Sequence, residues 1–208
     1  MKLTGRVTGL VETNCYLVWD EIAGKAFLVD PGEYSPDIDR IIEMEGLSVE
    51  YIILTHGHGD HIGGIEKFME KYPAAKVAAG EAELSILSDA KLNFSGEISG
   101  NDVEIRPDVL LKDGDELTVG GLTLRIIETP GHTPGGISIY IEEEGIVFSG
   151  DTLFRMSIGR TDLPGGDPEQ LLNSIREKLF VLPDETKVYP GHMAATDIGI
   201  EKRGNPFL

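Results

Sequence analysis

Thr55-His56-Gly57-His58-Gly59-Asp60-His61 follows directly on Tyr51-Ile52-Ile53-Leu54. The apolar run reads as a strand buried on both faces. Three imidazoles and a carboxylate therefore leave one strand end in a short loop. The glycines between them permit a tight turn and close backbone approach. Histidine and aspartate are ligands of zinc and of other first-row ions. The two remaining histidines repeat the placement, each after a Pro-Gly pair, in Thr129-Pro130-Gly131-His132 and Tyr189-Pro190-Gly191-His192. Asp151 ends a further apolar run in Phe148-Ser149-Gly150-Asp151. Five histidines and two aspartates exceed what one tetrahedral ion uses. They suit two divalent ions that share a bridging carboxylate.

Outward from this loop, Val11–Trp19 and Lys25–Val29 read as a hairpin turning at 20–24. Asp30-Pro31-Gly32 ends the second run; Asp30 could support a ligand histidine from behind, and a turn-forming role is the one expected of it. Helices are expected over 37–45, 62–71, 81–89 and 168–179, and strands over 76–79, 117–119, 122–128, 137–141, 146–149 and 187–189. Glu142-Glu143-Glu144-Gly145 reads as a charged hairpin tip, and 90–106, with Phe94, as an irregular lid or surface connection. Strands outnumber helices, and hairpins mix with crossovers. Two sheets with helices outside fit this order better than a doubly wound parallel sheet. No linker divides the chain, so one domain over 1–208 is expected.

Hydrophobic residues make up 40% of the 208 and charged residues 26%, as in a soluble globular protein. The formal net charge of −18 repels phosphates and anionic lipids, which argues against nucleic-acid and membrane-surface partners. The single cysteine, Cys15, cannot form an intrachain disulfide. With no basic and apolar leader and no membrane-length apolar run, it points to a cytoplasmic protein.

His56-x-His58-x-Asp60-His61, followed in order by His132, Asp151 and His192, resembles the metallo-β-lactamase superfamily over essentially the whole chain. The resemblance implies an α/β fold, an αββα sandwich with a metal site along one edge of two mixed sheets. By that match His56, His58 and His132 would hold a first ion, Asp60, His61 and His192 a second, and Asp151 would bridge them. Gly150-Asp151-Thr152-Leu153-Phe154, Ile158-Gly159-Arg160-Thr161-Asp162 and the tail from Ile198 are similar to the short bacterial members of the glyoxalase II group of thioester hydrolases. Arg160 matches a lysine that contacts glutathione there. An anion-binding role is thus open beside a structural pairing with Asp162. Asp162 and Ala194 stand where that enzyme has tyrosines, and Met156 and Met193 where the short group has glycines. Cys15 reads as a core residue, since no histidine remains to activate it.

Such a site would cleave a small thioester such as an acylglutathione. Two divalent ions, zinc first and iron or manganese as alternatives, would supply a bridging hydroxide at neutral pH. Asp60 would ligate one ion and orient that hydroxide. Two other readings stay open. One is a persulfide dioxygenase holding a single iron on His56, His132 and Asp151; the other is a metal-binding domain without turnover.

Overall fold

The structure is a computed structural model describing residues 1–208. Two six-stranded mixed sheets pack face to face, with helices on both outer sides. The first sheet runs β1 (Lys2–Thr8), β2 (Thr13–Asp20), β3 (Lys25–Val29), β4 (Ser48–Leu54), β5 (Lys76–Gly80), β6 (Val109–Leu111). It is antiparallel from β1 to β3 and parallel from β3 to β6. The second sheet is built from β7 (Glu116–Val119), β8 (Leu122–Glu128), β9 (Ile137–Ile141), β10 (Ile146–Gly150), β13 (Lys187–Pro190) and β14 (Thr196–Asp197), in the order β14-β13-β10-β9-β8-β7. A short ribbon, β11 (Leu153–Phe154) with β12 (Ser157–Ile158), follows β10.

The strands are apolar on both faces because both faces are covered. Along β2, Tyr16 and Val18 point into the layer between the sheets, where they meet Phe27, Phe148 and Ile139. Cys15, Leu17 and Trp19 point outward, toward Ile38 and Ile42 of α1 (Pro36–Glu45) and Phe68 of α3 (Ile65–Lys71). On the far side, Leu171 of α7 (Pro168–Asn173) and Ile175 and Leu179 of the π-helical turn after it cover Ile127, Tyr140 and Val188. The ring centroids of Phe148 and Tyr16 are 5.2 Å apart, joining the two sheets near the end that carries the histidines.

α1 begins where a cap permits: Ser35 accepts from the Ile38 N–H, Pro36 opens the helix, and Gly46 closes it in the left-handed region. Other expected helices are broken. The span 62–71 divides into α2 (Gly59–Ile62) and α3, because Gly64 comes close enough to the 30–34 turn for its N–H to bond the Pro31 carbonyl at 2.8 Å. The span 81–89 is a 3₁₀ turn, Glu81–Glu83, followed by α4 (Leu84–Leu87). Residues 90–106 are more ordered than expected. They carry α5 (Ala90–Asn93) and α6 (Ser95–Ser99), pinned by Asn93 Nδ2 donating to the Val103 carbonyl and the Val103 N–H donating to Ser95 Oγ, both 2.8 Å. β1, β6, β14 and α8 (Ile198–Gly204) carried no expectation. The acidic tip 142–144 is a 3₁₀ turn closed by Gly145.

Two loops approach very closely at Gly32. A Cβ there would sit 1.8 Å from the Asp60 carbonyl oxygen. Gly32→Ala should therefore lose about 1–3 kcal/mol in urea unfolding, the usual range for overpacking. A wild-type midpoint would show that the two loops separate freely.

Candidate metal centre

Four loops meet at one edge of the sandwich. The first leaves β4 and carries His56, His58, Asp60 and His61 into α2. The others belong to the second sheet: His132 after β8, Asp151 at the end of β10, and His192 at the end of β13. All seven sequence-predicted side chains come together. His56, His58 and His132 place one nitrogen each within 4.8 Å of one another. Asp60, His61 and His192 form a second such group, and His56, His61 and Asp151 a third between them. Asp151 reaches both sides. Its Oδ2 lies 3.7 Å from His132 Nε2 and 3.5 Å from His192 Nε2, and its Oδ1 lies 3.4 Å from His61 Nε2.

The chemistry of these groups fits divalent ions. His56 Nε2, His58 Nε2 and Asp151 Oδ1 are buried with no hydrogen-bond partner in the protein. Left so, each would carry a desolvation penalty, and a cation would remove it. Burial and neighbouring imidazoles hold His56 well below the usual histidine range and His58 down to about 4. Both are thus neutral and present lone pairs, as ligation requires. His132 donates from Nδ1 to the Arg160 carbonyl at 2.7 Å, an arrangement that leaves Nε2 facing the site. Burial opposes charge on Asp60, but His61 and His192 outweigh it and hold the carboxylate ionised. Burial likewise opposes charge on His61, and Asp60, Asp151 and Asp30 outweigh it, so His61 titrates well above its usual range. The three carboxylates around it draw a positive charge, a proton in the metal-free chain where a cation would take its place.

Two carboxylates brace the centre from behind. Asp30 is buried with φ 49°. Its Oδ1 accepts from the Thr55 N–H at 2.7 Å, and its Oδ2 accepts from the Thr55 hydroxyl at 2.6 Å. The same Oδ2 lies 3.0 Å from His61 Nδ1. Asp30 does form the turn, its carbonyl accepting the Gly32 N–H at 2.8 Å, but its side chain also takes the other role open to it: it holds the strand end and faces a site histidine. Sequence reasoning missed Glu83 altogether. This buried side chain accepts the Gly57 N–H on Oε1 at 2.9 Å and the Gly135 N–H on Oε2 at 2.8 Å, tying the first histidine loop to the loop of His132. Nothing in Glu81-Ala82-Glu83 sets it apart from a solvated acidic turn.

Above the centre opens a cavity of about 870 Å³, with His58, Asp60, His132, Asp151 and His192 at its floor. Phe94, Glu97 and Ile98 of the 90–106 segment form part of its wall. Arg160 also lines it, but its guanidinium is engaged by Asp162 through two bonds of 2.7 Å. Met156 and Met193 both adopt positive φ, 56° and 67°, which accounts for glycine at these positions in the group that the sequence resembles. Cys15 is fully buried and burial pushes its thiol up, as a core residue requires.

Residues 8–192 match the family model described as metallo-β-lactamase superfamily. The chain belongs to that superfamily. Within it, the chain is 41% identical to a probable metallo-hydrolase of Bacillus subtilis, covering 100% of this chain and 98% of the relative. It is 36% identical to a hydroxyacylglutathione hydrolase of Haemophilus influenzae, over 95% and 93%. Among solved superfamily structures, BLEG-1, described as a B3 metallo-β-lactamase, superposes with a TM-score of 0.92 at 38% identity over 100% and 99% of the chains. A di-iron-bound form of TTHA1623 gives 0.86 at 34%, over 99% and 100%. No helix is long and apolar enough to cross a membrane.

The braces should matter to metal retention. Asp30→Ala is expected to weaken metal binding about 10- to 100-fold, as loss of a group behind a ligand typically does. Glu83→Ala strands two buried N–H groups at about 1–3 kcal/mol each and should lower the melting temperature. Metal titration and thermal unfolding of both variants check this. Wild-type affinity in Asp30→Ala would assign its carboxylate to the turn alone.

Proposed function

We propose that this chain is a binuclear metal-dependent hydrolase that cleaves small acyl thioesters. One observation carries the reading: two separate donor groups, His56-His58-His132 and Asp60-His61-His192, with both oxygens of Asp151 turned toward the space between them. In this reading the first set holds one ion, the second set another, and Asp151 serves both. The di-iron form of a relative at 34% identity supports a capacity of two, with iron and zinc both suited to the donors. When bound, such ions lower the pKa of water to about 7 and draw charge from a carbonyl oxygen.

The chain's own residues then position the reaction. Thr13 donates its hydroxyl to Asp60 Oδ2 at 3.1 Å, and His192 Nε2 lies 3.1 Å from the same oxygen. Asp60 is thereby held ionised at the cavity floor, where it accepts a hydrogen bond from the attacking water and fixes its direction. Attack on the thioester carbonyl forms the C–O bond. The C–S bond then breaks and a thiolate departs, giving a carboxylic acid and, after protonation, a thiol. With a thiol pKa of about 8.5, that departure needs little acid assistance, whereas an amine leaving group would need a proton donor. The relative named for hydroxyacylglutathione hydrolysis supports the thioester. The solved structure described as a B3 metallo-β-lactamase makes the β-lactam the substrate to test against it.

Elemental analysis of metal-loaded protein should find two divalent ions per chain. Asp60→Asn should keep the first ion and reduce kcat by about 10²- to 10⁴-fold. Asp151→Ala should reduce occupancy of both. A single iron with an empty second site in loaded protein would instead favour the dioxygenase reading. Acyl thioesters should also give a higher kcat/KM than matched amides or β-lactams. A β-lactam hydrolysed faster than every thioester in a panel of varied acyl and thiol groups would overturn the thioester assignment while leaving the hydrolase in place.

A further inference from the structure

The wall of the cavity names the substrate more closely than its floor. Away from the histidines and aspartates, the lining is predominantly hydrophobic. Val11 comes from the β1–β2 turn, Phe94 and Ile98 from the α5–α6 segment, Phe154 and Leu163 from the stretch after β10, and Met193 from the turn after His192. The apolar groups thus come from every side of the mouth. Phe94 stands beside His58 and Phe154 beside His192, with ring centroids 6.2 and 6.1 Å apart, so apolar surface begins next to the floor on both sides.

The charges at the mouth point the same way. Glu12 and Glu97 line the cavity, are exposed, and have no cationic partner. Arg160 is the one Lys or Arg in the lining, and its bidentate pair with Asp162 presents a neutralised couple. The entrance therefore carries two uncompensated carboxylates, on a chain of net charge −18. A thiol such as glutathione brings two carboxylates of its own. Its binding here would bring those carboxylates toward Glu12 and Glu97, with the single guanidinium of the lining already sharing its charge with Asp162.

We propose that the natural substrate is a hydrocarbon-rich acyl thioester whose thiol portion bears no carboxylate, with Glu12 and Glu97 discriminating against anionic thiols. The inference rests on the thioester-hydrolase reading for its carbonyl chemistry, but on the cavity wall alone for its ligand preference. Its test is accordingly a binding experiment that needs no turnover. Non-hydrolysable thioethers, S-hexyl-N-acetylcysteamine and S-hexylglutathione, are titrated calorimetrically into the full-length metal-loaded protein, with S-methyl-N-acetylcysteamine as the short-chain control.

The neutral hexyl thioether should bind at least 10-fold more tightly than its glutathione counterpart. It should also bind at least 10-fold more tightly than the methyl control, since each buried methylene contributes roughly a fourfold gain. The double variant Glu12→Gln/Glu97→Gln should narrow the gap between the neutral and glutathione ligands by about 10-fold. Equal or tighter binding of S-hexylglutathione, no gain from methyl to hexyl, or no binding by any of the three would overturn the proposal. If the neutral thioether binds as expected and yet no thioester is hydrolysed, the cavity's preference stands and the thioester-hydrolase reading fails instead.

Discussion

Crowding five imidazoles and two carboxylates onto one buried edge forces lone pairs to face one another. His58 Nδ1 and His132 Nε2 are 2.9 Å apart, and the Nδ1 of His132 is already directed at the Arg160 carbonyl. His61 and His192 approach through Nε2 at 3.4 Å, with Asp60 and Asp151 beside them. Such an arrangement is repulsive unless protons or cations lie between the donors. The surrounding frame has to hold it against that repulsion. Asp30 does so at the end of β4, and Glu83 does so between the loops of the two sheets. Both supports are buried carboxylates bonded to backbone N–H groups, a stiff arrangement in a region of low dielectric.

The backbone carries the same tension. Five residues other than glycine have positive φ: Glu12, Asp30, Phe94, Met156 and Met193. Three of them line the cavity, and Asp30 stands behind His61. The fifth, Met156, is anchored through its N–H to Glu201 Oε2 at 2.8 Å. Glu201 is itself buried and also receives the Thr196 hydroxyl and the Asn205 amide. Each such conformation costs about 1–3 kcal/mol and persists where its surroundings over-determine it. The C-terminal helix α8 thus fixes the loop that carries Ser157 and Ile158 into the cavity wall, far from the floor in sequence but close in function.

The floor was legible in the sequence because its residues are chemically conspicuous. Every histidine of the chain lies in a glycine-flanked loop after an apolar run, and the strands that deliver them are continuous enough in Val, Ile and Leu to be read directly. What stabilises those loops was not legible. Glu83 looks like any surface glutamate until the fold brings Gly57 and Gly135 to its two oxygens. Asp30 in Asp-Pro-Gly has a sufficient local explanation as a turn residue, and its contact with Thr55 depends on the parallel pairing of β3 with β4. Helix breaks at 63–64 and 83–84 follow from tertiary close approach, which local periodicity cannot register. Arg160 matched an anion-binding position, yet Asp162, only two residues on, pairs with its guanidinium through Nε and Nη2.

That the site draws on both sheets has an energetic consequence for the whole molecule. His56, His58, Asp60 and His61 belong to the first sheet, while His132, Asp151 and His192 belong to the second. Any ion held by residues of both groups binds only when the sheets are docked, so its binding free energy adds to the docking free energy. The interior needs less of this help than the edge, since Phe148, Tyr16 and Phe27 already join the sheets through direct ring contacts. The linkage acts mainly at the rim. There the alternative to a bound cation is a set of buried nitrogens and oxygens without partners, and the loops that carry them are the ones that build the cavity floor. Metal binding, loop order and the shape presented to substrate are therefore one coupled equilibrium, and the hydrophobic layer between the sheets sets how far that equilibrium can move without unfolding the sandwich.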